Sequence, residues 1–587
     1  MFFEYVLDGK QLGKIRNFVK FLKDRKRDFL LAGFFMLFSL LLTLPMPWLS
    51  MLVVDKALAA RDAKLFFVLI AAWAAIILLK TFSSFIQNFF LNNFQLYSVL
   101  SLRARMFNHL LHVPLSYYSD KQTGYLISRV SQDVEDAVSI LGTSSLNVVQ
   151  SLLSLIFGIT LIFLINGTLA AIALAIIPFY LVSQKLFNYK IRKVNNARKE
   201  EWSKVGGFLQ EMLSGVMSIK AYRKEDYEIT RFNDKSIAAI ELTKKNWLLS
   251  TYAGSANGFV QSLAPIAILS IAGYFIITGR MTTGQLVGFV GYLSLLYSPS
   301  TQLFGYLTNL QSAIVSIDRI YDILDQQAEG DPGHLLTVGA TDKFKGDVLF
   351  QDVSFCYRGE DANFRIAHLS LHIGPGDRIG IVGRTGSGKT TLGYLLLRLY
   401  EPQGGRICLD GKDIREYSLT DLRRLIGIVP QETYVFSGTI AENIRYANLE
   451  ASDEEMREAA RASYADNFIR NLPDGYNTIV GERGFQLSGG QKQMISIARV
   501  FLLDPKILVL DEATSSIDLQ SESLIRDATE KIMENKTTII ISHRLSSITS
   551  VDKMVLMDNG KIIVSGKHDE LYNFNKQYTD LYEGSLS

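Results

Sequence analysis

Apolar runs of membrane length fill the first 325 residues, and they constrain the fold more than any other feature of the chain. A helix rises about 1.5 Å per residue, so roughly 20 apolar residues cross a hydrocarbon core about 30 Å thick. A turn signal, Asn166-Gly167-Thr168, divides one long run into two helices. The sequence therefore predicts six transmembrane helices, drawn from 29–54, 65–102, 137–184, 246–279 and 281–316.

The loops between the predicted helices differ in length and charge. Those between the second and third helices and between the fourth and fifth are long and basic, whereas the others are a few residues each. Because basic loops stay in the cytosol, both termini are expected there, in a multi-pass protein of the inner or plasma membrane. The basic loop residues are Arg103, Arg105, Lys121 and Arg129, then Lys185, Lys190, Arg192, Lys193, Arg198 and Lys199.

Two segments are expected to lie at or beyond the cytosolic membrane surface. The run 65–102 would form a helix roughly 57 Å long, about twice the hydrocarbon core, so it is expected to project into the cytosol. Within the N-terminal segment 1–28, residues 14–26 alternate basic and apolar residues at helical spacing. This stretch is expected to lie on the inner leaflet, or else to form an ordinary cytosolic amphipathic helix.

Prolines and amides interrupt the apolar runs. Helix packing is the expected role of the prolines, which are Pro45, Pro47, Pro178, Pro265 and Pro299. Amides such as Gln150 and Asn257, together with aromatics and a single charge, would suit an amphipathic peptide, lipid or drug as the transported molecule. Hydrogen bonds between helices explain the same amides equally well.

From about residue 326 the sequence mixes charge, glycine and short aliphatic runs, which is typical of a soluble α/β domain. The predicted divisions are a membrane domain at 29–325, a linker at 326–346 and a soluble domain at 347–587. Two cysteines, Cys356 and Cys408, offer no disulfide framework or CxxC metal site. A formal charge of +3, without a Lys/Arg stripe interleaved with aromatics, argues against nucleic acid as a partner.

The soluble domain contains a glycine-rich phosphate-binding motif, GRTGSGKT, at 383–390. A strand-like stretch, 377–382, precedes it and a helical stretch, 391–398, follows it, as such a motif requires. Glycines let backbone N–H groups wrap phosphate oxygens at a helix N-terminus. Lys389 is expected to reach the β- and γ-phosphates of ATP, and the Thr390 hydroxyl to bind Mg²⁺. The predicted nucleotide-binding residues are Gly383, Arg384, Thr385, Gly386, Ser387, Gly388, Lys389, Thr390 and Thr391.

A second motif is the short aliphatic run at 507–510, which ends in Asp511 and Glu512. A carboxylate at the end of a parallel strand beside a phosphate loop is positioned to hold Mg²⁺ through water, the role expected of Asp511. The neighbouring carboxylate, Glu512, is expected to polarise the attacking water. Together with the phosphate loop, this pair predicts nucleotide hydrolysis.

An LSGGQ segment at 487–491 lies between these two motifs and is followed by helical periodicity over 492–499. In this position it resembles the signature of ABC (ATP-binding cassette) ATPases. The resemblance implies that the signature of one subunit closes on the γ-phosphate held by the other, so that the active site exists only in a dimer. The signature residues implied to contact nucleotide are Ser488, Gly489, Gly490 and Gln491.

Other landmarks of this family appear in order along the chain. The resemblance implies that Tyr357 stacks on adenine and that Gln431 contacts Mg²⁺ and the attacking water. It also implies that Asp518 reaches the partner subunit and that His543 is the switch residue at the γ-phosphate. The implied metal-site residues are thus Thr390, Gln431 and Asp511, and the implied catalytic residues are Glu512 and His543. The exporter-like segments are 114–129, 208–225, 283–292 and 480–484.

The resemblance covers nearly the whole chain and implies an exporter-type half-transporter. The expected fold is a six-helix, all-α membrane domain fused to a cytosolic α/β P-loop ATPase domain. A homodimer, or a pair with a related half-transporter, is expected to export an amphipathic peptide, lipid or drug-like compound across the membrane. One alternative function is import, against which the lack of an attached substrate-capture domain argues. The other is that of an ATP-gated channel or regulator.

Overall fold

The computed structural model describes residues 13, 17–18, 25–119, 121, 123–329, 344–357, 365–481, 484, 487–511, 519–542 and 551–586. The chain divides into two compact units, Met1–His109 with Gly124–Asp325 and Leu110–Thr123 with Gln326–Ser587. Every described strand belongs to the second unit. Three predicted site residues, Glu512, Asp518 and His543, lie outside the described residues.

Long helices build the first unit, and short π-helical turns interrupt two of its helical segments. The α-helices from the first described one onward are α1 Lys26–Thr43, α2 Pro45–Leu52, α3 Ala63–Leu111, α4 Leu115–Ser119, α5 Thr123–Ser128, α6 Val134–Ser139, α7 Ser145–Ile165, α8 Gly167–Ser214, α9 Val216–Ala221, α10 Glu225–Ile277 and α11 Thr283–Leu324. The π-helical turns are Val53–Leu58, Arg129–Asp133 and Ile140–Ser144. Of these elements, α4 belongs to the second unit.

Within the part of the chain that the structure describes, three helical segments are long and apolar enough to cross a membrane: Lys26–Leu58, Ala63–Leu111 and Thr123–Ile165. Among the described residues, Gly167–Phe179 and Pro265–Ile277 add shorter apolar stretches, and α11 supplies a sixth long helix. Helix α3 has 49 residues and is therefore about 74 Å long. It exceeds the predicted length because a helix continues wherever its backbone hydrogen bonds continue, in lipid or in water.

Side-chain caps determine where two of these helices begin. The Asn166 side chain accepts hydrogen bonds from the backbone N–H groups of Thr168 and Leu169, both at 3.1 Å, which starts α8 at the predicted turn. At the start of α11, Asp55 accepts hydrogen bonds from the Thr282 hydroxyl and from the Gly284 N–H at 2.8 Å. The first membrane segment is thereby attached to the start of the last one.

The second unit contains a six-stranded sheet in the order β12-β11-β3-β10-β9-β6 and a four-stranded antiparallel sheet in the order β2-β1-β4-β5. Strands β7 and β8 pair separately. The strands are β1 Val348–Cys356, β2 Arg365–Ile373, β3 Arg378–Gly383, β4 Gly404–Leu409, β5 Lys412–Asp413, β6 Ile426–Val429, β7 Gly438–Thr439, β8 Ile479–Val480, β9 Ile507–Asp511, β10 Thr537–Ile541, β11 Lys553–Asp558 and β12 Lys561–Gly566.

Five strands of the larger sheet, β11, β3, β10, β9 and β6, run parallel. Their aliphatic side chains are buried on both faces, as a parallel sheet covered by helices requires. The α-helices of this unit after α4 are α12 Lys389–Leu396, α13 Leu419–Leu425, α14 Ile440–Arg445, α15 Asp453–Ala462, α16 Ala465–Ile469, α17 Gly489–Leu503, α18 Leu519–Met533, α19 His568–Phe574 and α20 Lys576–Leu586. The parallel strands place their carboxyl ends at one edge of the sheet.

Candidate nucleotide-binding site

The carboxyl edge of the parallel sheet collects the predicted site residues. The phosphate loop leaves β3, Asp511 ends β9, and β10 lies between these two strands. Ile541 of β10 pairs with Ile381 on one side and with Asp511 on the other. Only one strand therefore separates β3 from β9, and residues more than a hundred positions apart in sequence lie at the same edge of the sheet.

Left-handed glycines shape the phosphate loop. Gly383, Gly386 and Gly388 have φ angles of 154°, 81° and 102°, which residues with a side chain rarely adopt. A Cβ on Gly383 would lie 2.1 Å from the carbonyl oxygen of Met557, so this position has no room for a side chain. A Cβ on Gly386 would meet nothing within 4 Å. The loop is thus closed against the sheet on one side and open on the other.

The polar groups of this loop fit a phosphate ligand. Lys389 is only 4% exposed, and its Nζ donates to the carbonyl oxygens of Gly383 at 2.9 Å and Arg384 at 3.0 Å. The Ser387 hydroxyl is buried, and among the described residues it has no hydrogen-bond partner. A buried hydroxyl without a partner is costly, and a phosphate oxygen at the loop would satisfy it.

The hydroxyl of Thr390 donates a 3.2 Å hydrogen bond to Asp511, whose side chain is buried. The pair joins the start of α12 to the end of β9. A hydroxyl and a carboxylate are oxygen ligands of the type that Mg²⁺ prefers, so these two residues fit the predicted metal role. The third predicted ligand, Gln431, lies two residues beyond the end of β6 with an exposed side chain.

Tyr357 lies against the start of the same helix. Its hydroxyl is 3.1 Å from the hydroxyl of Thr391, and its ring packs edge-on against Phe355 and Tyr400. Burial raises the pKa of the Tyr357 hydroxyl above its ordinary value. The structure brings this tyrosine beside the phosphate-loop helix, while its stacking on adenine stays a prediction.

The signature segment forms the N-terminus of α17. Ser488 is the N-cap residue: its hydroxyl accepts from the Gln491 N–H at 3.2 Å, and the Gln491 side chain accepts from the Ser488 N–H at 2.9 Å. Ser488 and Gly489 are exposed, whereas Gly490 is buried. Gln491, predicted to bind nucleotide, is thus engaged in a capping box. The spacing of a serine and a glutamine three residues apart was the available sequence signal for it.

Sequence reasoning missed a contact between the segment Leu110–Thr123 and the rest of the second unit. The Ser119 hydroxyl lies 3.1 Å from the Tyr400 hydroxyl, and the Tyr400 ring packs against Tyr357 with centroids 5.1 Å apart. Because Tyr357 in turn contacts Thr391, these side chains form a continuous connection from this segment to the phosphate-loop helix. Tyr400 is one of 26 tyrosines and belongs to none of the motifs identified in the sequence.

Replacing Tyr400 by Phe is expected to weaken this connection without removing the ring. The lost hydrogen bond corresponds to about 0.5–1.5 kcal/mol. If the chain is the exporter that its motifs predict, we expect the number of transport events per hydrolysed ATP to fall by up to about tenfold. Parallel ATPase and vesicle-uptake assays measure that ratio. Tyr572→Phe, at a hydroxyl with a 3.4 Å contact to Glu583, is the matched control. An unchanged ratio in Tyr400→Phe would contradict a role in coupling.

The fold and the site define a P-loop ATPase of the ABC type, carried on the same chain as a helical membrane domain. The chain belongs to the ABC transporter family: residues 29–300 match the ABC transporter transmembrane region, and residues 366–515 match the ABC transporter domain. The predicted family and fold class, an exporter-type half-transporter, are confirmed.

Similar proteins extend over nearly the full length of the chain. YgaD of Bacillus subtilis (strain 168), provisionally named a multidrug export ATP-binding/permease protein, is 35% identical to this chain. The alignment covers 97% of this chain and 99% of YgaD. YfiC of the same organism, an uncharacterized ABC transporter ATP-binding protein, is 33% identical over 98% of this chain and 94% of its own. A bacterial Atm1-family ABC exporter with ATP bound has a similar structure, with a TM-score of 0.82 and 26% sequence identity. The match covers 96% of this chain and 98% of that exporter chain.

Proposed function

We propose that this chain forms a dimer that couples ATP hydrolysis to export of an amphipathic peptide, lipid or drug-like compound. The observation that carries this proposal is the meeting of Lys389, Ser387 and the Thr390–Asp511 pair at one edge of the ATPase sheet. Export, rather than import, is supported by the relatives named for multidrug export and by the Atm1-family exporter. The proposed location is the inner or plasma membrane, with the ATPase domain and both termini in the cytosol.

In this proposal the phosphate loop binds the nucleotide, and five residues outside the loop hold Mg²⁺, perform the chemistry or contact the adenine. Lys389 neutralises charge on the β- and γ-phosphates. Mg²⁺, held by Thr390, Asp511 and Gln431, would supply further positive charge to the phosphate oxygens. Glu512 accepts the proton of the attacking water, and His543 holds the γ-phosphate. Tyr357 provides a platform for adenine.

The proposed dimer completes each active site with a signature from the other subunit. In each copy Ser488 and Gly489 are exposed at the N-terminus of the 15-residue helix α17, where N–H groups and the helix dipole attract an anion. Asp518 is proposed to contact the partner subunit. A second copy of this chain is the proposed partner, and a related half-transporter is the alternative.

A mixed dimer tests this arrangement. A Lys389→Ala chain is defective in its phosphate loop, and a Ser488→Arg chain in its signature. If each site combines the loop of one subunit with the signature of the other, the mixed dimer has one site with both defects and one site with neither. Its ATPase rate is expected to exceed that of either mutant homodimer by about tenfold or more.

Two affinity tags isolate the mixed dimer, and a dimer of differently tagged wild-type chains is the control. If the loop and the signature of one chain formed a site together, every site in the mixed dimer would contain one defect. A rate as low as that of the homodimers would therefore refute the exchange of signatures. ATPase activity of the wild-type chain purified alone would favour the homodimer.

A further inference from the structure

A cavity of about 580 Å³ lies in the first unit between α7 and α11. Its size falls in the range of sites that take drug-sized ligands. Serine, asparagine and glutamine side chains dominate its lining, with Val148, Pro299 and Tyr306 among the apolar members. No Asp, Glu, Lys, Arg or His is among the described residues that line it.

The regular α-helical hydrogen-bond pattern is altered beside this cavity on both sides, by a π-helical turn before α7 and by a proline within α11. The π-helical turn Ile140–Ser144 immediately precedes α7, and its last residue, Ser144, lines the cavity. Such turns occur frequently at functional sites because they redirect the side chains that follow. On the facing helix, Pro299 lies inside α11 and also lines the cavity.

Pro299 changes the hydrogen bonding of its helix. Proline has no N–H, so the carbonyl of Leu295, four residues earlier, lacks its usual helical donor. The Ser154 hydroxyl of α7 donates to this carbonyl at 3.5 Å, and both residues are buried. In a membrane such a carbonyl needs a partner, since lipid offers none. The cavity wall therefore contains a polar backbone group that a regular helix would hide.

The side chains around this carbonyl form a polar surface. The Ser151 hydroxyl donates to the side-chain amide oxygen of Gln302 at 3.0 Å, joining the two helices. Asn147, Ser294 and Ser298 are exposed around the opening. Next to Leu295, a Cβ on Gly158 would lie 3.1 Å from the Leu295 Cβ, so the two helices touch there.

The amides of the membrane domain thus serve two different purposes. Asn257 accepts a 3.0 Å hydrogen bond from Ser183, which joins α10 to α8 as a packing contact. Gln150 lines the cavity, and Gln302 both lines it and accepts the interhelical hydrogen bond from Ser151. Both explanations that the sequence left open for the amides therefore apply in this domain.

We propose that this cavity binds the transported molecule, and that the molecule is an uncharged compound with hydrogen-bonding groups and an apolar body. The hydroxyls and amides satisfy its polar groups, while Val148, Pro299 and Tyr306 contact its apolar part. A charged group would be desolvated here without an opposite charge in the described lining, which is costly. This inference rests on the proposed export function and specifies its substrate class.

Equilibrium binding to the nucleotide-free, full-length protein in lipid nanodiscs tests the proposal. The probes are radiolabelled colchicine, which is neutral and has amide and ether oxygens, the cation tetraphenylphosphonium and the anion taurocholate. We expect saturable colchicine binding at least tenfold tighter than that of either charged probe. Ser151→Trp, which fills the cavity, and Gln302→Leu, which removes its amide at similar volume, should each weaken colchicine binding at least tenfold.

Thr160→Trp is the matched control, because Thr160 lies on the same helix with an exposed side chain outside the cavity lining. Its colchicine affinity should equal that of the wild type. Absence of saturable colchicine binding, tighter binding of a charged probe, or unchanged binding in both cavity variants would overturn the proposal. Light scattering on the two cavity variants gives a further check. If both variants dissociate the dimer, the lining is a subunit contact and the proposal is overturned.

ATP-dependent colchicine uptake by inside-out vesicles separates this inference from the proposed function. If uptake persists in both cavity variants, the export function is supported and the cavity is not the substrate site. Binding that depends on the cavity, without any ATP-dependent uptake, would retain the site and reject export. Uptake that is lost at least tenfold in both variants, and retained in Thr160→Trp, supports both.

Discussion

Replacing Glu512 by Gln is expected to lower the steady-state ATPase rate by about 10² or more while leaving ATP binding intact. The amide keeps the size and hydrogen-bonding reach of the side chain but cannot accept the proton of the attacking water. The phosphate loop, which carries the binding contacts of Lys389 and Ser387, is unchanged in this variant. Phosphate release and equilibrium binding of ATP, measured on the same preparation, separate the two effects.

The matched control is Glu534→Gln, which makes the same chemical change at an exposed glutamate after α18. Its ATPase rate should equal that of the wild type. A normal rate in Glu512→Gln would contradict the assignment of Glu512 as the general base. A parallel loss of ATP affinity in that variant would instead indicate that Glu512 supports the binding site.

Replacing Lys389 by Ala is expected to weaken ATP binding by about 10- to 100-fold, since hydrogen bonds to charged groups contribute about 1.5–3 kcal/mol each. The ammonium group lies buried under the loop and holds the carbonyl oxygens of Gly383 and Arg384. The substitution removes both the cation for the phosphates and the donor for these carbonyls. Titration with a fluorescent ATP analogue measures the dissociation constant.

Lys412→Ala provides the control, because Lys412 is exposed on β5. It changes the net charge of the ATPase domain by the same amount. Equal losses of affinity in the two variants would attribute the effect to long-range electrostatics and contradict a direct role for Lys389. Thermal unfolding of both variants checks that the domain remains folded.

The positions of the apolar runs were predictable from hydropathy, but the ends of the helices that contain them were not. Hydropathy located the run 246–279, whereas α10 extends from Glu225 to Ile277. A hydropathy pattern reports where the chain meets lipid, and a helix continues into water as long as its backbone bonds are satisfied. The strand before the phosphate loop was predicted at 377–382 and found at Arg378–Gly383, because its pattern of buried aliphatic residues is local.

The local structure of the candidate site was predictable residue by residue only where a motif is contiguous. Spacing identified the phosphate loop, because each of its glycines meets a local backbone requirement. The capping box of Ser488 and Gln491 was also encoded locally, and nucleotide binding by Gln491 stays a prediction. The contact of Ser119 with Tyr400 joins residues 281 positions apart and has no local signature.

The sequence alone determined the length of the apolar runs, the order of the motifs and the backbone conformations required at the loop glycines. Each of these is a property of a short stretch of the chain. Tertiary packing decided that Thr390 meets Asp511, 121 residues away, and that Ser154 donates to the carbonyl released by Pro299. Any proline in a helix frees a carbonyl, but only the packing of a second helix decides what that carbonyl meets. The proposed substrate cavity therefore arises from how two helix faces match, which no single segment specifies.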